Sequence, residues 1–102
     1  MHVFMHIRIV KFTWSEAKSR INIRKHGFDL SDAEKVFGGP MLIEEDPCQT
    51  YDEKRMLGIG ILEGRVVVVI IYAEPDEQTT RIISMRKADS HEKKRFIETI
   101  KN

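Results

Sequence analysis

The sequence has a single cysteine, Cys48, so no disulfide can form within the chain and no cysteine-rich zinc site can be built. This shortage suits a reducing compartment, and Cys48 itself reads as a small, half-buried apolar filler. Long apolar runs are also missing. The longest, Val66 to Ala73, falls far short of the roughly 20 residues that a helix needs to cross a bilayer. The opening Met1-His2-Val3-Phe4-Met5-His6 has no stretch resembling a signal peptide. A cytoplasmic protein, neither exported nor membrane-embedded, is therefore expected. No glycine-rich phosphate loop, nucleophile elbow or zinc-protease pattern occurs, which removes the common nucleotide, acyl-transfer and metalloprotease classes. The four histidines, His2, His6, His26 and His91, have no carboxylate four residues on, and no metal or other cofactor is expected.

What is present fits one soluble domain. The 102 residues are 41% apolar and 32% charged, more charge than the usual ~25%. That length can bury one modest core but not two. A net charge of +1 hides a segregation of signs. Residues 1 to 27 hold six Lys and Arg against Glu16 alone, residues 28 to 64 hold three against nine acids, and residues 65 to 102 hold eight against six. Basic ends around an acidic middle can give one face for phosphate and another for a basic partner, although charge runs are more often just solvated surface.

The patterning predicts an α+β domain. Ile7 to Phe12 alternates enough for a short opening strand. A helix begins near Trp14, with Thr13 or Ser15 as its N-cap, and stops at Gly27. Its spacing puts Trp14, Ala17 and Ile21 on one apolar face and Lys18, Asn22 and Lys25 on a neighbouring stripe. A second helix follows, with Ser31 and Glu34 spaced as a capping box and Ala33, Val36 and Phe37 as its buried side. Gly38-Gly39-Pro40 ends it. Met41 to Ile43 reads as a strand and Glu44 to Glu53 as an acidic, flexible loop. Arg55 to Leu62 and Arg65 to Tyr72 form a hairpin through Glu63-Gly64. After a turn at Pro75 to Gln78, Thr79 to Met85 supplies another strand, and a mostly charged, weakly docking helix starts at Asp89. Two N-terminal helices packed on an antiparallel sheet of four to five strands are thus expected, with a C-terminal helix. Val66 to Ile71 is apolar throughout and should be central, covered on both faces. The second cover must be the C-terminal helix or a partner protein.

Two basic clusters could carry chemistry. Lys18, Lys25 and His26 lie toward the end of the first helix, where cations also simply complement the helix dipole. Together they offer two ammonium groups for phosphate and an imidazole able to move a proton. The second cluster is Arg81-Ile82-Ile83-Ser84-Met85-Arg86-Lys87. A lone strand arginine is commonly just ion-paired, but guanidinium forks also match phosphate oxygens in pairs. In a regular strand Arg81 and Arg86 face opposite ways, so they converge only if Arg86 lies past the strand end. Tyr72 and Asp76 are candidate stacking or orienting groups, with strand-end packing as their ordinary role. Metal-free RNA cleavage fits this inventory: a base takes the ribose 2′-OH proton, cations stabilise the phosphate, and an acid protonates the departing 5′-oxygen. The alternative is a non-catalytic module that binds nucleic acid or serves as a repressor-complex subunit.

Phe12-Thr13-Trp14-Ser15-Glu16-Ala17-Lys18, Asn22-Ile23-Arg24-Lys25-His26-Gly27, Ala33, Val36-Phe37 and Arg81 to Lys87 together resemble the BrnT toxins of bacterial type II toxin-antitoxin modules. The resemblance runs from about Phe12 to Glu98. It implies a RelE-like ribonuclease fold, RNA cleavage that arrests translation, and no membrane association. It also implies neutralisation in a hetero-oligomer with a cognate BrnA antitoxin, whose ribbon-helix-helix domain binds operator DNA so that the complex represses its own operon. Lys18, Lys25, His26, Arg81 and Arg86 fall where the family carries recurrent basic residues. On this reading His26 or a lysine is the base, and Arg81 and Arg86 stabilise the phosphate. Arg20, Arg24, Tyr72, Asp76 and Lys87 are the expected RNA contacts. The whole chain reads as one toxin domain, with residues 1 to 6 as an extension and Met5 as an alternative start.

Overall fold

The computed structural model describes residues 10–48 and 53–101. The elements, in order, are strand β1 (Lys11–Thr13), helix α1 (Glu16–His26), a 3-10 turn (Leu30–Asp32), helix α2 (Ala33–Phe37), strands β2 (Met41–Glu45), β3 (Arg55–Leu62), β4 (Val66–Asp76) and β5 (Thr79–Lys87), and helix α3 (Ser90–Lys101). The five strands form one sheet in the order β1-β5-β4-β3-β2. β2 to β5 run antiparallel, whereas β1 lies parallel to β5 with Lys11 against Thr79 and Thr13 against Arg81. The expected antiparallel sheet is therefore mixed. The α+β class and the C-terminal helix match expectation.

β4 is the centre of this sheet, as its apolar run requires. Its alternation sends Val68, Ile70 and Tyr72 into a core with Leu30, Ala33 and Val36 from the α2 side and Ile82 and Met85 from β5. The other face sends Val67 and Val69 into a second core with Leu57, Ile59 and Phe96. Phe96, only 1% exposed, is α3's anchor. Arg95 adds an ion pair from α3 to Glu44 on β2, with N to O 2.6 Å. The C-terminal helix thus covers the second face itself, and more firmly than its charged composition suggests. Glu63 and Gly64 both take positive φ, 55° and 68°, the mirror-image turn that matches the right-handed twist of β3 and β4.

Three local expectations give way to other physical demands. Asp29, not Ser31, closes the turn before α2: its carboxylate accepts from the Ser31 N–H at 3.0 Å and from the Ser19 hydroxyl at 2.9 Å. Those hydrogen bonds, led by Ser31, lower the Asp29 pKa. The capping box instead falls at α3, where the Asp89 N–H donates to Glu92 and the Glu92 N–H donates to Asp89, at 2.9 and 2.8 Å. Glu44 and Glu45 belong to β2, pairing with Leu57 and Met56, so the acidic loop starts later than expected. Cys48 is exposed and not an apolar filler. Residues 1 to 9, which carry the extension and the start of the opening strand, lie outside the described residues, as do 49 to 52 of the acidic loop. Among the described residues no helix is long and apolar enough to cross a membrane.

Candidate functional site

Helix α1 does not bury the face its apolar spacing marks out. Its buried residues are Ser19 and Asn22, while Ile21 is 46% exposed and Ala17 is also exposed. The cause lies on β5. β1 pairs with Thr79 to Arg81, and among the described residues no strand pairs with the rest of that edge, whose backbone groups need other partners. Asn22 fills the gap: its side-chain amide donates to the Met85 carbonyl at 2.8 Å and its carbonyl accepts from the Met85 N–H at 3.1 Å. The same amide nitrogen also donates to the Phe28 carbonyl at 2.8 Å. Ser19 receives the Leu30 N–H at 2.9 Å. Polar matching, not apolar burial, docks this helix.

Once Asn22 is fixed against β5, the positions one turn either side of it face the same way. Lys18, Lys25 and His26 therefore share with Ile21, Asn22, Ile83 and Ser84 the lining of a cleft of about 170 Å³ between α1 and β5. Ser15 caps the start of α1, its hydroxyl accepting the Lys18 N–H at 3.3 Å. Gly27, at φ 81°, supplies the left-handed stop just beyond His26. Among the described residues no ion pair involves Lys18, Arg20, Arg24, Lys25 or His26, whereas Lys35, Lys54, Arg81, Arg86 and Arg95 are all paired with carboxylates. Lys18, Lys25 and His26 thus bring to one cleft cationic side chains that have no ion pair among the described residues. No group of three or more His, Cys, Asp or Glu is arranged to hold a metal ion among the described residues.

The second cluster converges differently from the expected route. β5 continues through Lys87, so Arg86 never leaves the strand. Instead the pairing with β4 skips Ile83: Tyr72 faces Ile82, and Ile71 faces Ser84. This bulge shifts the alternation by one residue. Arg81 opposite Ala73, Ser84 opposite Ile71 and Arg86 opposite Val69 consequently share one face, the α3 side of the sheet. Ser84 also lines the α1 cleft, whereas Arg81 and Arg86 are not among its lining residues.

Both arginines are held by carboxylates. Arg81 pairs with Glu53 from the acidic loop. Arg86 makes a bidentate pair with Glu92, both bonds 2.8 Å. That hydrogen-bonded partner raises the Arg86 pKa and pulls the Glu92 carboxyl from 4.5 down to about 2. Of the other expected contacts, Tyr72 is overturned as a stacking platform. Its ring is 3% exposed and packed edge-on against Phe37 at 5.1 Å, and burial pushes its phenol up to about 12. Asp76 closes the β4–β5 turn by accepting the Gln78 N–H at 2.8 Å. Arg20 and Arg24 are exposed on the side of α1 away from Asn22, outside the cleft lining. Lys87 is exposed at the far end of β5.

The roles of Ile21, Ile83 and Ser84 as lining residues, and of Asn22, Glu53 and Glu92 as organisers, are not legible in local sequence patterns. Only Asn22 carried a signal, a carboxamide in the middle of a cationic stripe.

The sequence model for BrnT, the ribonuclease toxin of type II toxin-antitoxin systems, matches residues 14–92, which run from α1 into the first turn of α3. A search of curated proteins finds no match. Among solved structures, the BrnT ribonuclease toxin of Brucella abortus superposes with a TM-score of 0.60 at 29% identity, covering 79% of this chain and 99% of that one. The matched segment contains the α1–β5 cleft, the bulged strand and the Arg86–Glu92 pair, and the chain belongs to the BrnT family of ribonuclease toxins of type II toxin-antitoxin systems.

Proposed function

We propose that this protein cleaves single-stranded RNA in the α1–β5 cleft by metal-independent acid–base chemistry, and that the cleavage inhibits translation. The observation that carries the reading is a group of cations in the cleft with no ion pair among the described residues: Lys18 and Lys25, with the His26 imidazole beside them. An RNA phosphate entering there meets positive charge that no carboxylate pairs with among the described residues. His26, or one of the lysines, takes the proton from the 2′-OH. The oxygen so activated attacks the adjacent phosphorus, a 2′,3′-cyclic phosphate forms, and the 5′-oxygen leaves with a proton from the conjugate acid of a second such group. Arg81 and Arg86 stabilise the charge on the phosphate, held in position by Glu53 and Glu92. Nothing in this sequence needs a bound ion to balance it.

A type II toxin implies a cognate antitoxin. We take that partner to be BrnA-like, with a ribbon-helix-helix domain through which the hetero-oligomer binds operator DNA and represses its own operon.

The test is incubation of the purified toxin with a single-stranded RNA in excess chelator, beside the same RNA with 2′-deoxy nucleotides. Cleavage of the first alone, leaving cyclic phosphate ends, is the expected result. Intact RNA with and without added divalent ions, despite measurable binding, would instead establish the non-catalytic, repressor-subunit reading.

A further inference from the structure

Of the isoleucines outside both cores, two line the α1–β5 cleft. Ile21 stands 46% exposed on α1, and Ile83 is the residue that the β5 bulge drops from the pairing with β4. Neither belongs to, or packs against, the two apolar clusters of the sheet. A scattered exposed isoleucine is ordinary in any protein. These two are not scattered: one comes from each wall of the same cleft, with Lys18, Lys25 and His26 beside them and Ser84 adjoining.

We propose that the space between Ile21 and Ile83 is a subsite for one unstacked nucleobase, with the adjoining phosphate held by Lys18 and Lys25. This rests on the RNA-cleaving reading and adds what the cleft selects. Proteins that act on single-stranded RNA take bases out of the stack and hold their flat faces against apolar or aromatic side chains. Two branched aliphatic side chains on facing walls offer such contacts to a flat ring, and a base paired in a duplex cannot enter. Ser84 has a hydroxyl that both donates and accepts, and His26 has ring nitrogens, so the base edge need not lose its hydrogen bonds on entry. Charge argues for nucleic acid as the occupant over an apolar protein segment, because the cations beside the isoleucines have no protein partner among the described residues. Aliphatic faces do not distinguish one ring from another, so the subsite demands a base without dictating which.

The experiment compares binding of two short, uncleavable 2′-O-methyl oligonucleotides of equal length and charge, one with bases and one fully abasic. The abasic probe is expected to bind about tenfold more weakly to the unmodified protein. Ile21→Ser, an exposed substitution that spares both cores, removes most of that difference while leaving the salt dependence of binding unchanged, since the lysines remain. Equal binding of the two probes by the unmodified protein overturns the proposal, as does a loss in Ile21→Ser shared equally by both probes. Failure of both probes to bind refutes the RNA reading itself, and the subsite with it.

Discussion

Replacing Asn22 by alanine tests how α1 is held. The carboxamide makes three hydrogen bonds at 2.8 to 3.1 Å, to both backbone groups of Met85 and to the Phe28 carbonyl, from a residue that is 5% exposed. Alanine leaves the Met85 N–H and two carbonyls without those partners, in a place that water reaches poorly. A made hydrogen bond contributes about 1 kcal/mol net, and a buried group left unpaired costs 1–3 kcal/mol. Partial relaxation of the helix toward water reduces the sum, so a loss of about 3 kcal/mol is expected, a large share of the ~5–15 kcal/mol of a typical domain. For a domain of this size that corresponds to a midpoint lower by about 12–24 °C. The assay is urea unfolding, in which the midpoint should fall with little change in slope. Asn22→Asp retains an acceptor for the Met85 N–H but turns a carboxylate toward two carbonyl oxygens, and should be at least as destabilised. A loss below about 1 kcal/mol in Asn22→Ala would refute the view that polar matching docks this helix.

Three further outcomes follow from the same geometry. A Cβ on Gly60 would sit 2.5 Å from Cγ1 of the buried, β-branched Val36, whereas one on Gly58 would meet the free end of Met41, Cε, at 2.7 Å. Gly60→Ala should therefore cost about 1–3 kcal/mol in urea titration and Gly58→Ala distinctly less, and equal costs would contradict the packing. The Glu92 carboxyl is held at about 2 chiefly by Arg86, so its contribution to stability is complete above its ordinary value of 4.5 and is lost as pH falls toward 2. Glu92→Gln should flatten the pH dependence of unfolding across that window, and an unchanged profile would show that the pair does not stabilise the fold. Glu53 pairs with Arg81, so on the proposed RNA-cleaving reading it both orients that guanidinium and competes with phosphate for its charge. Glu53→Gln should tighten RNA binding by roughly two- to fivefold at low ionic strength, with the gain fading as salt is added.

Much of the scaffold was readable because its signals were local. The Val66 to Ile71 run and the Glu63-Gly64 turn specified the central hairpin, and Ser15 and Gly27 bounded α1, because these depend on alternation, φ preference and capping alone. What was misread depended on distant neighbours. Ser19 and Asn22 displaced Ala17 and Ile21 from the buried face of α1 because β1 is too short to close the β5 edge, a fact carried by the pairing of residues 79 to 81. The bulge at Ile83 left no mark in a strand of good β-formers, yet it alone brings Arg81, Ser84 and Arg86 to one face. The burial of Tyr72 comes from residues far off in sequence, Leu30, Ala33 and Val36 in the same core and Phe37 against its ring, which local pattern does not show. The basic residues themselves were legible as types. Which of them are free and which are paired was not, since Glu53 and Glu92 act through the fold.

The most direct test of the central claim, that the α1–β5 cleft is where RNA is cut, is the single-turnover cleavage rate of a Lys25→Ala/His26→Ala variant measured in chelator. Both side chains are exposed, and α1 is pinned through Ser19 and Asn22, so the variant should melt within a few degrees of the unmodified toxin. Its cleavage rate should fall by about a hundredfold or more. A folded variant that cuts RNA at the unmodified rate would place the chemistry elsewhere on the protein.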